Sequence, residues 1–394
     1  MRGFNISYKC LLLAMLTTLL PSCNVWQDDL DGSAEETGNV NEFILNMNIT
    51  ARQVDTRAAE HELWDDENDK DKNVDNFINI DGGDYCVYIL DGNDNRIITQ
   101  FNPTSTAKTA DGSYRLSGKF TYDPTKLTTF RLMVMANWKA FGGDYSANIA
   151  LGSTVLSSLY SDRTNFNFTY PTTQGAESWF PVGEEQQGIP MFGLSDVITI
   201  PKFVYGFVPE LEVGTIPMLR ALAKIVVTNA IEASTEKDKV EILSCKLTTY
   251  NSNGRFIPNG AENENPNWNE EGTQVAKPSL PNQTVQGTTA LQFIPSSDYK
   301  TFTAYVPEMI VKELEVKPYI EVEAKVGTDP EARKYTIQLG KYSDNHEFLW
   351  DSYFEAILRN HRYEYDVVSI IHGIHLDHPK DWDGWYDGFN NKEN

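Results

Sequence analysis

The 394-residue chain reads as an all-β protein, two β-sandwich domains in tandem with few short helices. Three observations lead there. Apolar and polar residues alternate over many short runs, and Gly, Asn, Asp and Pro punctuate those runs at modest spacing. The three-and-four recurrence of a helix is almost absent. No repeat of fixed period is present.

The first alternating run is Phe43, Ile44, Leu45, Asn46, Met47, Asn48 and Ile49. Phe43, Leu45, Met47 and Ile49 share one face and Asn46 and Asn48 the other, the pattern of a half-buried strand. Residues 85–91 are strand-like, and Gly92, Asn93, Asp94 and Asn95 turn them back into 96–101, a hairpin. Strands are expected again at 114–122 and 130–137. In the latter, Phe130, Leu132, Val134 and Ala136 face one way and Met133 and Met135 the other, as in an internal strand covered on both sides. Val155, Leu156, Leu159 and Tyr160 recur at helical spacing behind Ser153 as a cap, predicting one short helix. Alternation returns at 166–170 and 197–200, around a Gly/Pro-interrupted loop region at 171–190.

Pro209, Glu210, Glu212 and Gly214 thin out the core residues at 208–214, which places a domain boundary there. Beyond it, strands are expected at 221–229, 240–250, 302–306, 319–326, 335–339 and 363–371. A long Asn/Gly/Glu/Pro loop occupies 259–284, and 351–358 reads as a short helical turn. The domains are therefore expected at 42–212 and 213–371, with 372–394 as a C-terminal tail.

The segment ahead of the first strand carries a different message. A basic flank (Arg2, Lys9) precedes the apolar run 11–20, which ends in Leu20, Pro21, Ser22 and Cys23. This is a secretory signal over 1–22, too short to span a bilayer, which takes about 20 apolar residues. A cysteine at the cut makes Cys23 the candidate lipidation site, its thiol taking a diacylglycerol. At about 0.8 kcal/mol per buried CH₂, several acyl chains hold where one does not. The alternative is an ordinary signal cut near Ser22 with Cys23 incidental. Residues 23–41, with Asp28, Asp29, Asp31, Glu35 and Glu36, read as an acidic flexible tether. After the first strand, Arg52 and Arg57 stand in a polar stretch followed by the charged run 65–73, an accessible target for proteolysis.

A net charge of −23 argues against nucleic acid, which needs a basic footprint, and makes acidic lipid surfaces poor partners. Of four cysteines, Cys10 leaves with the signal and Cys23 is the lipid site. Cys86 and Cys245 lie in apolar runs and read as two buried free thiols. No phosphate loop, nucleophile elbow or paired-histidine zinc motif is present, and no catalytic residue, cofactor or metal is expected. Asp91 to Arg96 resembles a calcium loop only briefly, because Arg96 stands where such a loop needs Gly and Asn102 where it needs Glu. His372, His375 and His378 cluster near Asp377 and Asp381, but Gly373 and Pro379 interrupt a helix, and a strand would turn His375 away from the other two. Trp382, Trp385, Tyr386 and Phe389 form an aromatic group near the C-terminus that packs back on the domain or contacts a partner.

Taken in order, these features resemble the fimbrillin-type (FimA/Mfa1-like) major and minor fimbrial subunits of Bacteroidales. The matching stretches are Leu20 to Cys23, the first strand followed by Thr56, Arg57 and Ala58, and LMVMAN at 132–137. In the second half they are LRALAKIVV at 219–227, AYVPE at 304–308 and LRNHRYEYDV at 358–367. The resemblance implies two transthyretin-like β-sandwiches and a lipoprotein precursor carried to the outer membrane, with Gln27, Asp28 and Asp29 similar to a surface-export signal. It implies that an arginine- or trypsin-like protease cuts at Arg52 or Arg57, that the first strand leaves, and that a strand from another fimbrial subunit takes its place. That account expects the strand at an edge or terminal position over an apolar groove. The end of the chain, with Pro379, Gly384 and Gly388, lacks the alternation of a donor appendage, which favours a tip or accessory role over a stalk role and leaves the choice open. The rival reading is a surface glycan-binding lipoprotein, which would keep the first strand and expose Trp or Tyr platforms.

Overall fold

The first strand, β1 (Glu42–Thr50), enters the middle of the largest sheet. In this computed structural model the described residues are 42–51, 74–109, 113–142, 145–162, 165–170, 188–202, 209–258, 290–343, 347–354, 356–370 and 375–376. After β1 come β2 (Tyr85–Asp91) and β3 (Ile97–Phe101), joined by the Gly/Asn turn, then β4 (Ser105–Lys108), β5 (Tyr114–Thr121) and β6 (Thr129–Ala136). All but the first residue of β6 are buried, as an apolar strand with both faces covered requires. The short helix α1 (Leu156–Ser161) buries Leu156, Leu159 and Tyr160. Its N-cap is Val155 with no side-chain cap; Ser153, expected in that role, instead donates its hydroxyl to Ala150 O at 3.2 Å. β7 (Asn167–Thr169), β8 (Met191–Leu194), β9 (Ile198–Thr199) and β10 (Glu210–Arg220) complete this half.

The large sheet runs β3-β2-β6-β8-β10-β1-β5-β4, with β9 added to β6. β10 is its fold line: its first part pairs in parallel with β1, and Met218, Leu219 and Arg220 pair with β8. The two arms close over one another, since the Phe43 ring on β1 lies 6.4 Å from that of Phe130 on β6. β10 runs through positions 212 and 213, where core residues are sparse, because its first part turns only the half-buried Leu211 and Val213 to the core, whereas its second part is mostly buried.

The second half opens with β11 (Leu222–Asn229), β12 (Val240–Leu247) and β13 (Asn253–Arg255). Next are β14 (Leu291–Gln292), β15 (Ile294–Pro295), β16 (Thr301–Pro307), β17 (Met309–Ile310) and β18 (Tyr319–Val326). The last are β19 (Arg333–Gln338), β20 (Gly340–Tyr342), β21 (Phe348–Tyr353), β22 (Ala356–Ile357), β23 (Arg362–Ser369) and β24 (His375–Leu376). They form a five-stranded sheet, β15-β16-β11-β23-β24, and a four-stranded sheet, β14-β12-β18-β19, with smaller pairs beside them. β18 and β23 alternate buried with half-buried residues, so each sheet turns one face inward. Among the described residues of 351–358 the expected helical turn is absent. β21 pairs with β20 and β22 with β17, so strand pairing overrides the local pattern. Cys86 and Cys245 are buried and unbridged. The architecture is almost entirely β, with a few short helices.

A buried polar junction ties the two sets of sheets. Asp75, in the 3₁₀ turn Val74–Asn76, accepts from Lys224 Nζ at 2.6 Å and from the Tyr305 hydroxyl. Arg220, the last residue of β10, donates its Nε to Asp75 O at 2.9 Å and its Nη1 to Asn360 Oδ1 at 2.6 Å. Burial opposes the charge on Asp75, but Lys224 and the Tyr305 hydroxyl hold its carboxyl below the usual carboxylate range. A buried charge needs partners of this kind, because alone it would cost several kcal/mol (order of magnitude, roughly 3–5).

Candidate functional site: the slot around the first strand

β1 lies between β5, antiparallel, and β10, parallel. Its strict alternation sends Phe43, Leu45, Met47 and Ile49 into the core, each 0% exposed. Phe43 meets Phe120 edge-on at 5.4 Å and Tyr122 at 5.5 Å, an aromatic box at the strand's start. Leu45 sits opposite Gly118, where any side chain would meet Phe101 Cζ at 2.9 Å. Met47 faces Leu116 and Ile49 faces Tyr114 on β5. On the β10 side the register slips between Asn46 and Asn48, where β10 carries an extra residue. Gly214, at φ +88°, supplies the left-handed backbone of that bulge.

The outward face is polar. Asn46 donates to Glu210 Oε2 at 3.3 Å and accepts from Ser117, so it bridges both walls. Lys119 on β5 pairs with Glu42 at 2.7 Å, and Arg115 on β5 pairs with Glu212 on β10. Since β5 and β10 meet only through β1, the Arg115–Glu212 pair crosses the outer face of β1. Lifting β1 out would leave an apolar trench with two unpaired strand edges.

β1 is the first described strand of the chain, but it is interior to the sheet and not at an edge. The expected edge position is therefore corrected: closure of β10 against its far side makes β1 a filler between two walls. Cys23, Arg52, Arg57, Trp382, Trp385, Tyr386 and Phe389 lie outside the described residues, as do His372 and His378. Of that histidine group only the backbone of His375 is described, in β24. Among the described residues no group of three or more His, Cys, Asp or Glu could hold a metal ion. Trp138 is buried against Phe256, and Tyr299 is exposed.

Sequence reasoning named Asn46 and Asn48 as the polar face of the first strand, but assigned neither their partners on the walls nor the groups at the junction. A signal existed for one of them: Lys224 interrupts Leu222, Ala223, Ile225 and Val226, and a lysine inside an apolar strand requires a buried partner. Asp75 itself carries no such mark.

No family model and no curated protein sequence matches the chain. Solved structures do. The tip fimbrial protein Mfa3 of Porphyromonas gingivalis, with a C-terminal truncation, matches at TM-score 0.50 and 13% identity, over 87% of this chain and 99% of that one. A proposed cell adhesion protein of Bacteroides eggerthii gives TM-score 0.44 and 14% identity, over 87% and 96%. A fimbrilin of Porphyromonas gingivalis gives 0.39 and 11%, over 82% and 90%. The first shows a shared fold, and at such identity nothing finer follows from it.

Proposed function

We propose that this protein is a non-enzymatic structural subunit of a surface fimbrium, assembled by loss of β1 and entry of a strand from another subunit. One observation carries the reading: the first strand is an apolar filler whose removal opens a trench between β5 and β10. Burial of its four inward side chains contributes roughly 1.5–3 kcal/mol each, about 6–12 kcal/mol together as an upper bound. Whole domains are stable by only about 5–15 kcal/mol. A subunit that loses β1 therefore needs a replacement, and two free edges offer main-chain hydrogen bonds to one. A head-to-tail contact of this kind builds open filaments.

In this reading the precursor is exported by residues 1–22, lipidated at Cys23, held at the outer membrane, and cut by an arginine- or trypsin-like protease at Arg52 or Arg57. The halves are two transthyretin-like sandwiches, expected at 42–212 and 213–371, with strand pairing changing over after Arg220. The likeness in fold to a tip fimbrial protein, together with a tail that lacks donor-strand alternation, favours a tip or accessory position. N-terminal sequencing of protein taken from the cell surface tests the reading. It is expected to begin after Arg52 or Arg57; a chain that still begins at lipidated Cys23 within assembled fibres would overturn it.

A further inference from the structure

The two asparagines on the outward face of β1 have unequal settings. Asn46 is satisfied by both walls, through Ser117 and Glu210. Asn48, one rung further, is half-buried; its Oδ1 is shielded and has no protein hydrogen-bond partner. It stands opposite Arg115 on β5 and Thr215 on β10. The Arg115–Glu212 pair spans this face at the level of Asn46 and Asn48. A buried acceptor without a donor has lost its water and gained nothing in exchange.

We propose that position 48 sets which strand the slot prefers. With Asn48 there, β1 is a weaker occupant than a strand bearing a β-branched apolar residue at that rung, and the Arg115–Glu212 pair is the cover that creates the difference. The proposal rests on the strand-exchange reading for its purpose: the imbalance gives an incoming strand its advantage over the resident one. The partner segment so defined is extended and runs parallel to β10. Its apolar residues fall at the rungs of Phe43, Leu45, Met47 and Ile49, with Val or Ile at the rung of Asn48.

The test uses the full chain in four forms: wild type, Asn48→Val, Arg115→Ala and the double variant. Amide hydrogen exchange of β1 is read in each. Asn48→Val is expected to slow local exchange about tenfold. In the Arg115→Ala background that gain is expected to shrink at least about threefold, because water then reaches the asparagine amide. No slowing by Asn48→Val, or a gain that ignores Arg115, overturns the proposal. A second arm offers labelled peptides spanning 42–51, with Asn or Val at position 48, to wild-type chain nicked by trypsin after β1. The Val peptide is expected to displace β1 about tenfold better. Should neither peptide enter while the four-variant cycle behaves as expected, strand exchange fails and the ranking of occupants by position 48 stands.

Discussion

The slot around β1 and the junction around Asp75 are both buried, and they are built from opposite materials. The slot is held by apolar faces and strand hydrogen bonds, neither of which cares which chain supplies them. The junction is held by a lysine, an arginine and a tyrosine converging on one short turn, with Asn360 bonded to the arginine. Apolar contact is non-directional and tolerates a change of occupant. A buried ion pair tolerates almost none, since either charge without the other is stranded. On the proposed reading the difference marks which part of the chain leaves: β1 is the exchangeable segment, while the segment that resumes at Val74 is held between the two halves.

That contrast can be broken by substitution. The largest effect is expected at the junction, where Asp75→Ala strands Lys224 and should cost about 3–5 kcal/mol in urea unfolding. Replacing the pair together, Asp75→Leu with Lys224→Met, should recover most of it. In the slot, Phe43→Ala should also cost about 3–5 kcal/mol, through the hole left among Phe120, Tyr122 and Phe130. A volume-conserving Met47→Leu should cost less than about 1.5 kcal/mol. If Met47→Leu proved as damaging as Asp75→Ala, the slot would be as exacting as the junction and the distinction would fail.

Acid sharpens the same comparison. Asp75 is held below the ordinary carboxylate range in the fold, so its contribution is complete above that range and is lost as pH falls through its lowered value. The inward face of β1 carries no titratable group. Unfolding followed from neutral to acid pH should therefore lose the junction's contribution only below about pH 4. Over neutral to mildly acid pH, hydrogen exchange of β1, corrected for the intrinsic rate, should stay flat. The smallest effect is expected from Lys119→Gln, which removes an exposed pair with Glu42 and should change stability by less than about 1 kcal/mol.

Much of this was legible before the fold was known. Alternation marked β1 and β18 because each buries a full face, and β2 and β6 stood out as apolar runs because both of their faces are buried. β4 and β8 carried too little pattern: Ser105 to Lys108 is exposed throughout, and Met191 to Leu194 is buried throughout. β10 hid because its first part is a wall with outward glutamates, so a strand looked like a boundary. The inward residues of the slot could be named from sequence. So could the outward Asn46 and Asn48, but not the pair over them, since Arg115 and Glu212 meet across a third strand and only topology brings them together.

The most direct measurement is on the chain with Arg52→Ala and Arg57→Ala together, purified from the cell surface and examined for polymer and for retention of residues 42–51. Strand exchange predicts a monomer that keeps β1 in its slot. Fibres formed at the wild-type level by subunits that still carry β1 would contradict it.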